Sequence, residues 1–270
     1  MHEFRGTPHG ARQTEGFCQA IALDCEMVRV KKGRQDVAFL SAVDFFTNKI
    51  LISRYVVPSE EVVDWRSDFS GITQVIMNAA ISSGAVFYNW REARDKLWEF
   101  MDDSTILVGQ SLNYDLEVLG ICHANIVDTA ILTAEAVFSS SVPNKPLPRM
   151  WSLKTLANDF LSLEIQTSTL GHSAVEDACA AREIAIWCSR NPGKLESWAE
   201  NSRIREKARK FKKKSQRHCK GSSKRNLPAS QQSSRVQEHD TAYYDHSDDL
   251  RLSDLAEALG YPEDYDPWSD

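Results

Sequence analysis

The chain has 270 residues, of which 42% are apolar and 26% charged, with a formal net charge of −6. This is the composition of a globular protein with a core of ordinary size. No run of about 18 uncharged apolar residues is present, which argues against a membrane span. Residues 1–17 lack the apolar segment of a signal peptide.

The charge is distributed unevenly along the chain. Residues 1–202 carry −8, residues 203–225 carry +11 and residues 226–270 carry −9. Composition shifts of this kind mark domain boundaries and low-complexity tails. The predicted organisation, in chain order, is a flexible N-terminus (1–16), a folded domain (17–202), a basic arm (203–225) and a Ser/Gln-rich, then acidic, disordered tail (226–270).

The folded domain is predicted from changes in the period of its apolar residues. Short apolar segments rich in strand formers come first, and segments with helical spacing follow. The predicted strands are 20–28, 37–44, 50–57, 106–109 and 126–127. The predicted helices are 92–101, 112–119, 129–137, 153–161 and 174–190, with a proline-rich loop at 141–150. Three strands followed by alternating helices and strands indicate an α/β domain with a mixed sheet.

The first predicted strand, 20–28, carries two carboxylates in an otherwise apolar sequence. Asp24 and Glu26 are two residues apart, so they share one face and lie roughly 7 Å apart along the strand. Such carboxylates repel each other and are costly to bury. A divalent cation would offset that cost. An exposed edge strand is the alternative, because the D-x-E pattern alone is a weak signal.

Asp115 lies beside the buried stripe of leucines in the predicted helix 112–119. The helical spacing places it on or next to the face that packs against the core. Taken alone, this position is typical of an ordinary acid at the edge of a helix.

Asp177 lies in line with the apolar stripe of the predicted helix 174–190, whereas Glu176 and Glu183 lie off it and are interpreted as solvated charges. His172 precedes this helix, on a loop opened by a glycine. A histidine beside an inward-facing acid is a candidate general base.

The order of these residues along the chain is more specific than any one of them. Four carboxylates and one histidine occur in a fixed order: Asp24 and Glu26 on a strand, Asp115 facing inward from a helix, and His172 five residues before Asp177 at the start of the last helix. This set suits a two-metal phosphodiester hydrolase, whose cations lie about 3.5–4 Å apart. One cation polarises the attacking water and the other stabilises the leaving oxygen, while the histidine takes the proton from the water.

Over about residues 17–190 the sequence resembles the DEDDh (DnaQ-like) 3′→5′ exonucleases, and within them the branch of RNA exonuclease 4 and the interferon-stimulated 20 kDa exonuclease. The resemblance rests on ALDCEMV (22–28), WRSDFSGI (65–72), LVGQSLNYDLEVL (107–119), VDTA (127–130), WSLKTLA (151–157) and GHSAVEDACAA (171–181). It implies an RNase H-like mixed five-stranded sheet flanked by helices. It also implies stepwise release of nucleoside 5′-monophosphates from an RNA 3′ end, with two Mg²⁺ or Mn²⁺ ions, in the processing of ribosomal or other RNA.

The resemblance assigns a role to each of five catalytic residues. Asp24, Glu26 and Asp177 would ligate the metal that activates water. Asp24 would also hold the second metal, with Asp115 nearby. His172 would be the general base.

The resemblance also implies substrate contacts, by Met27 to the terminal base or sugar, by Arg66 to a phosphate or the terminal nucleotide, and by Asn113. Asp128 is interpreted as a cap of the following helix rather than a ligand.

Two residues depart from the family pattern. Gln110 stands where a His is common, and Asp68 stands where a second basic residue is usual. They are the support for a rival hypothesis, a nucleic-acid-binding module with a vestigial site. A DNA exonuclease with the same chemistry is a third hypothesis.

The C-terminal residues leave several interpretations open. Residues 203–225 could be a solvated helical extension, a nuclear or nucleolar import signal, or a non-specific RNA-binding arm. The resemblance favours the last two together, and so predicts a nuclear or nucleolar protein that binds single-stranded RNA 3′ ends. The acidic segment 226–270 could dock a protein partner, compete with RNA for the basic arm, or be disordered.

Overall fold

The computed structural model of the protein describes residues 3–10, 17–138, 147–168 and 171–221, with side chains up to residue 211. The described residues divide into two compact units, with the boundary between Ala199 and Glu200. The strands are β1 (Arg5–Gly6), β2 (Ala20–Val30), β3 (Gln35–Asp44), β4 (Ile50–Val56), β5 (Val62–Asp64), β6 (Val86–Phe87), β7 (Ile106–Gly109), β8 (Ile121–Cys122) and β9 (Ile126–Asp128).

The helices are α1 (Ser67–Ser70), α2 (Gln74–Ser82), α3 (Trp90–Trp98), α4 (Asn113–Leu119), α5 (Thr129–Phe138), α6 (Leu153–Leu161), α7 (Ala174–Arg190) and α8 (Pro192–Gly221). Within the described ranges, none of these helices combines the length and the apolar character that crossing a membrane requires. Of the predicted loop 141–150, residues 147–150 are described and have no regular structure.

The central sheet is mixed, as predicted. Its strand order is β6-β4-β3-β2-β7-β9, and β5 pairs with the far end of β2. β2, β3 and β4 are antiparallel neighbours, whereas β7 runs parallel to both β2 and β9. All five predicted strands are present. The sheet has two strands more than the predicted five, because β5 and β6 are too short to show a period of two in the sequence.

The side chains of β2 alternate between two helical layers. Leu23 and Cys25 are buried against side chains of α3 and α4. Ala22 packs against Ala178 of α7 on the opposite face. Because residues two apart share a face, Asp24 points to the same side of the sheet as Ala22. This alternation brings the first carboxylates of the chain towards α7.

The segment 58–91, for which the sequence predicts no element, contains β5, α1, α2 and β6. α1 is a single turn, and α2 buries only Met77 and Ala80. Elements this short, with so narrow a buried face, carry little periodic signal. They are set by the contacts they make with the sheet.

Residues 3–10 differ from the predicted flexible N-terminus of residues 1–16. The Arg5 N–H donates to the Gly120 carbonyl (2.9 Å) and the Thr7 N–H to the Cys122 carbonyl (3.1 Å). β1 therefore pairs in parallel with β8. The remaining residues of the predicted N-terminus, 1–2 and 11–16, lie outside the described residues.

α8 is a second difference. α7 ends at Arg190 as predicted, but Pro192 begins a new helix, since proline suits a first helical position where no N–H partner is needed. The helix continues to Gly221, so residues 203–221 are helical, which agrees with the interpretation of segment 203–225 as a helical extension. Acids pair with arginines three residues further along it: Glu200 with Arg203, and Glu206 with Arg209. The predicted tail 226–270 lies outside the described residues.

Candidate active site

The position of Asp115 depends on where β7 ends, because the chain turns there into the helix that carries this residue. β7 pairs with β2 as far as Ala22, and after Gly109 the chain turns towards α4. The two strands are so close here that a Cβ on Gly109 would lie 2.8 Å from the Leu23 carbonyl oxygen. Beyond this point β7 no longer flanks β2, and the Cys25 N–H donates to Asp115 Oδ1 at 2.8 Å. Asp115 therefore lies against the open edge of β2.

Asp128 fixes the turn that leads into α4. Its carboxylate accepts from the N–H groups of Ser111 (3.0 Å) and Leu112 (2.9 Å), and from that of Ala130 in α5 (2.9 Å). Ser111 has a φ of +59°, a left-handed conformation that is costly for a residue other than glycine. Asp128 is thus a cap, as the sequence predicts, and it also sets the approach of Asp115.

Replacing Asp128 with Ala is expected to lower the free energy of unfolding by about 2–4 kcal/mol. A lost helix cap costs about 0.5–2 kcal/mol, and a buried N–H left without an acceptor costs about 1–3 kcal/mol. Urea unfolding measures the change. The matched control is Glu117→Ala at an exposed position of α4, expected within about 0.5 kcal/mol of the wild type. Equal stability of the two variants would show that other contacts hold the turn.

Asp24 and Glu26 share the face of β2 that is turned towards α7. Asp24 lies directly across from Ser41 of β3, whose buried hydroxyl has no hydrogen-bond partner among the described residues. Side chains of directly opposed residues share a face, so this hydroxyl and the carboxylate are neighbours. After Glu26 the pairing shifts at a β-bulge, a feature that re-aims side chains next to active sites. No sequence signal marked Ser41, because a serine within a strand is ordinary.

Asp177 is in the first turn of α7, with a side chain that is 8% exposed. Its Oδ2 accepts a hydrogen bond from Gln166 Nε2 at 2.8 Å and lies 3.8 Å from His172 Nδ1. Its Oδ1 is buried and has no hydrogen-bond partner among the described residues. The structure thus brings the predicted base and this predicted ligand together, and adds Gln166, which no pattern in the sequence indicates.

His172 is held by the segment that carries Arg66. Its N–H donates to the Phe69 carbonyl at 2.6 Å, and the two rings meet edge to face with centroids 6.2 Å apart. The preceding Gly171 has a φ of +100°, and a Cβ there would lie 2.1 Å from the Gly71 nitrogen. The Arg66 guanidinium lies over the Phe69 ring, 5.6 Å from its centroid. The turn around α1 and the loop before α7 therefore fix each other.

The four carboxylates are close enough to alter one another's ionisation. Burial, followed by the charges of Asp115, Asp177 and Glu26, raises the pKa of Asp24 well above its ordinary value. Burial raises the pKa of Glu26 to about 8, with help from Asp177 and Asp115 and against the charge of Arg66. Burial also raises the pKa of Asp115 and that of Asp177 to about 7. The cluster is therefore an unfavourable concentration of negative charge.

His172 shows the opposite behaviour. Burial, and then the charge of Lys154, lowers the pKa of the His172 imidazole below its ordinary value. The ring is therefore neutral near pH 7, the state in which a general base can accept a proton.

The chemistry of this donor set fits divalent cations, which prefer carboxylate oxygens. The buried, unpartnered Oδ1 of Asp177 and the mutual repulsion of the carboxylates both favour a cation. Across the described ranges, no three His, Cys, Asp or Glu side chains already stand in a coordination geometry. Asp115 and Asp177 each turn one oxygen to an N–H donor, from Cys25 and Gln166. These residues therefore suit a divalent cation by their chemistry and by their closeness to one another, whereas their side chains are not yet arranged in a coordination geometry.

The three predicted substrate-binding residues differ in their burial and in their surroundings. Arg66 is partly buried, and its charge acts on Glu26. Met27 is partly buried and packs against the core cluster beneath α3 and α4. Asn113 is exposed at the beginning of α4.

Gln110 and Asp68, the two departures from the family pattern, lie in different surroundings. Gln110 Nε2 donates to the Trp151 carbonyl (2.9 Å), and its Oε1 accepts from the Thr129 hydroxyl. Its amide therefore bridges the end of β7, α5 and Trp151, the residue before the cap of α6. Asp68 is exposed in α1. Gln110 thus has a structural role, and this role explains the residue without the hypothesis of a vestigial site.

In EDTA, the protein is expected to lose stability as the pH rises from about 5 to about 8. The folded protein keeps protons on Asp115, Asp177 and Glu26, whose pKa values are raised to about 7, 7 and 8, whereas the unfolded chain releases them near pH 4. Stability falls with pH wherever the folded state binds more protons. The lowered pKa of His172 opposes this with one proton. Urea unfolding across this range measures the slope, and stability that rises with pH would contradict the clustering.

Comparison with known proteins bears on the same residues. The sequence model of the RNase T exonuclease family matches residues 21–185. RNA exonuclease 3 of Candida albicans is 35% identical over 171 residues, which cover 63% of this chain and 38% of that protein. Small RNA degrading nuclease 2 of Arabidopsis thaliana is 34% identical over 169 residues, which cover 62% and 34%. The chain thus spans little more than a third of the length of these relatives.

Solved structures share the fold. The Neurospora crassa Pan2 catalytic unit, with protease and nuclease domains, gives a TM-score of 0.57 at 23% identity and covers 74% of this chain and 32% of its own. The Saccharomyces cerevisiae Pan2 pseudoubiquitin hydrolase–RNA exonuclease module in complex with A7 RNA gives 0.58 at 21%, covering 75% and 34%. The family match extends over more than half of the chain and includes all four carboxylates and His172. On this evidence the chain belongs to the RNase T exonuclease family.

Proposed function

We propose that the protein is a metal-dependent 3′→5′ exoribonuclease that releases nucleoside 5′-monophosphates from RNA 3′ ends. The observation that carries this proposal is the convergence of Asp24, Glu26, Asp115 and Asp177, with His172 beside Asp177. Relatives named as an RNA exonuclease and a small RNA degrading nuclease support RNA as the substrate.

In the proposed reaction the four carboxylates would hold the metal ions and the histidine would act as the general base. Asp24, Glu26 and Asp177 would hold one Mg²⁺ or Mn²⁺ ion, and Asp24 with Asp115 would hold a second. Bound there, such cations supply charge neutralisation at the phosphate and lower the pKa of the attacking water. His172 would accept the proton that the water loses, because its neutral ring lies beside the carboxylates.

The residues around this centre would bind the end of the RNA strand. Arg66 would contact a phosphate of the terminal nucleotide, Met27 would pack against its base or sugar, and Asn113 would contact the strand. The exposed ring of Phe69 offers a further stacking surface beside Arg66. Asp68 adds an exposed negative charge to the same turn, which is expected to weaken the binding of a polyanion.

A gel assay tests the proposal. Matched 5′-labelled single-stranded RNA and DNA are incubated with the protein in Mg²⁺, Mn²⁺ or EDTA. We expect a ladder that shortens RNA from the 3′ end only when metal is present. RNA binding without any ladder would favour the binding module, and faster shortening of DNA than of RNA would favour a DNA exonuclease.

We also propose that the protein acts in the nucleus or nucleolus, in the processing of ribosomal or other RNA. The basic segment 203–225 supports this location, because dense Lys/Arg runs act in import and in RNA binding. The acidic segment 226–270 stays a candidate site for a protein partner. Changing the basic residues of 203–225 to Gln is expected to abolish nuclear accumulation of a fluorescent fusion, whereas unchanged accumulation would contradict the proposed location.

A further inference from the structure

Gln166 lies on the loop between α6 and α7 and reaches directly to the carboxylate cluster. Its side-chain nitrogen donates to Asp177 Oδ2 at 2.8 Å. The other oxygen of this carboxylate, Oδ1, is buried and without a hydrogen-bond partner among the described residues. The hydrogen bond therefore fixes which oxygen of Asp177 remains available to a cation.

Gln166 makes this contact from a costly backbone conformation. Its φ is +57°, in the left-handed region that costs a residue other than glycine about 1–2 kcal/mol. Several contacts hold the residue there. Its N–H donates to Glu176 Oε2 at 3.0 Å, its carbonyl accepts from Lys154 Nζ at 3.4 Å, and the neighbouring Ile165 is 1% exposed. Glu176 is partly buried and accepts a hydrogen bond from the Gln166 backbone, so its interpretation as a solvated charge is wrong.

We infer that Gln166 is a positioning residue that orients Asp177 for cation binding at the proposed metal site. The inference rests on the proposed function. A neutral amide suits this role, because it fixes the carboxylate by a hydrogen bond without cancelling the negative charge that attracts the cation. Loss of such a supporting hydrogen bond typically lowers metal affinity or activity by about 10–100-fold.

Two substitutions separate this role from a purely structural one. Gln166→Met keeps the length of the side chain but removes the donor. Gln166→Gly removes the donor and also relieves the left-handed strain, so its stability in EDTA is expected to stay close to that of the wild type. In both variants of the full chain, we expect the Mn²⁺ concentration at half-saturation to rise by about 10–100-fold, measured by electron paramagnetic resonance of free Mn²⁺.

Ser162→Gly is the matched control. Ser162 is exposed, has the same φ of +57° and ends α6 on the same loop. It is expected to bind Mn²⁺ as the wild type does. Unchanged Mn²⁺ affinity in Gln166→Met, or an equal loss in Ser162→Gly, would overturn the role of Gln166 alone. A wild-type protein that binds no Mn²⁺ would overturn the proposed metal site together with it.

Discussion

Asp24→Asn is expected to abolish metal-dependent RNA shortening while making the metal-free protein more stable. Charge stabilisation by a bound cation is worth several kcal/mol, and about 4 kcal/mol corresponds to a rate loss of roughly 10³-fold. The stability gain has the opposite origin. Burial, and then the charges of three neighbouring carboxylates, raise the pKa of Asp24, so an amide of the same shape removes both the cost of a buried charge and the repulsion. The ladder assay measures the first effect, and urea unfolding in EDTA at about pH 8 the second.

Asp44→Asn is the matched control, because it makes the same change on the neighbouring strand in a favourable environment. Burial opposes ionisation of Asp44, but hydrogen bonds from Thr47, Cys18 and Phe46 together outweigh burial and lower its pKa. The control should therefore lose stability and keep full turnover. If Asp24→Asn kept its turnover, or lost stability in EDTA as the control does, the cluster would not be a metal site.

The part of the site that could be predicted follows from local periodicity. Alternation along a strand decides that Asp24 and Glu26 share a face, and the helical repeat decides that Asp177 lies in the buried stripe of α7. Asp177 is buried, as the helical repeat predicts. Asp24 and Glu26 both lie close enough to Asp177 for its charge to raise their pKa values, which agrees with a shared face. These relations depend only on residues a few positions apart, so a single sequence is enough to show them.

The remaining parts of the site depend on contacts between distant segments. The position of Asp115 follows from the end of β7 at Gly109, which frees the Cys25 N–H, and the two contacting residues are 90 positions apart. Gln166 lies in a loop without any period, and the sequence reveals neither its left-handed φ nor its hydrogen bond to Asp177. The pairing of β1 with β8, in which Arg5 lies opposite Ile121, joins segments that are even further apart in the sequence. Spacing rules cannot predict relations of this kind.

His172→Ala is expected to slow hydrolysis by roughly 10²–10⁴-fold, the usual contribution of a general base, while Mn²⁺ binds as in the wild type. The substitution should leave the backbone in place, because the His172 N–H, not the ring, donates to the Phe69 carbonyl. Asp177 keeps its hydrogen bond from Gln166 as well.

Single-turnover rates and Mn²⁺ titration together distinguish a proton acceptor from a ligand. His9→Ala is the control, since the His9 side chain is 93% exposed and pairs with Asp103. The control should keep the full rate. A His172→Ala protein with the wild-type rate at every pH would show that another group takes the proton. Loss of Mn²⁺ affinity in that variant would instead make His172 a support of Asp177, because the two side chains are only 3.8 Å apart.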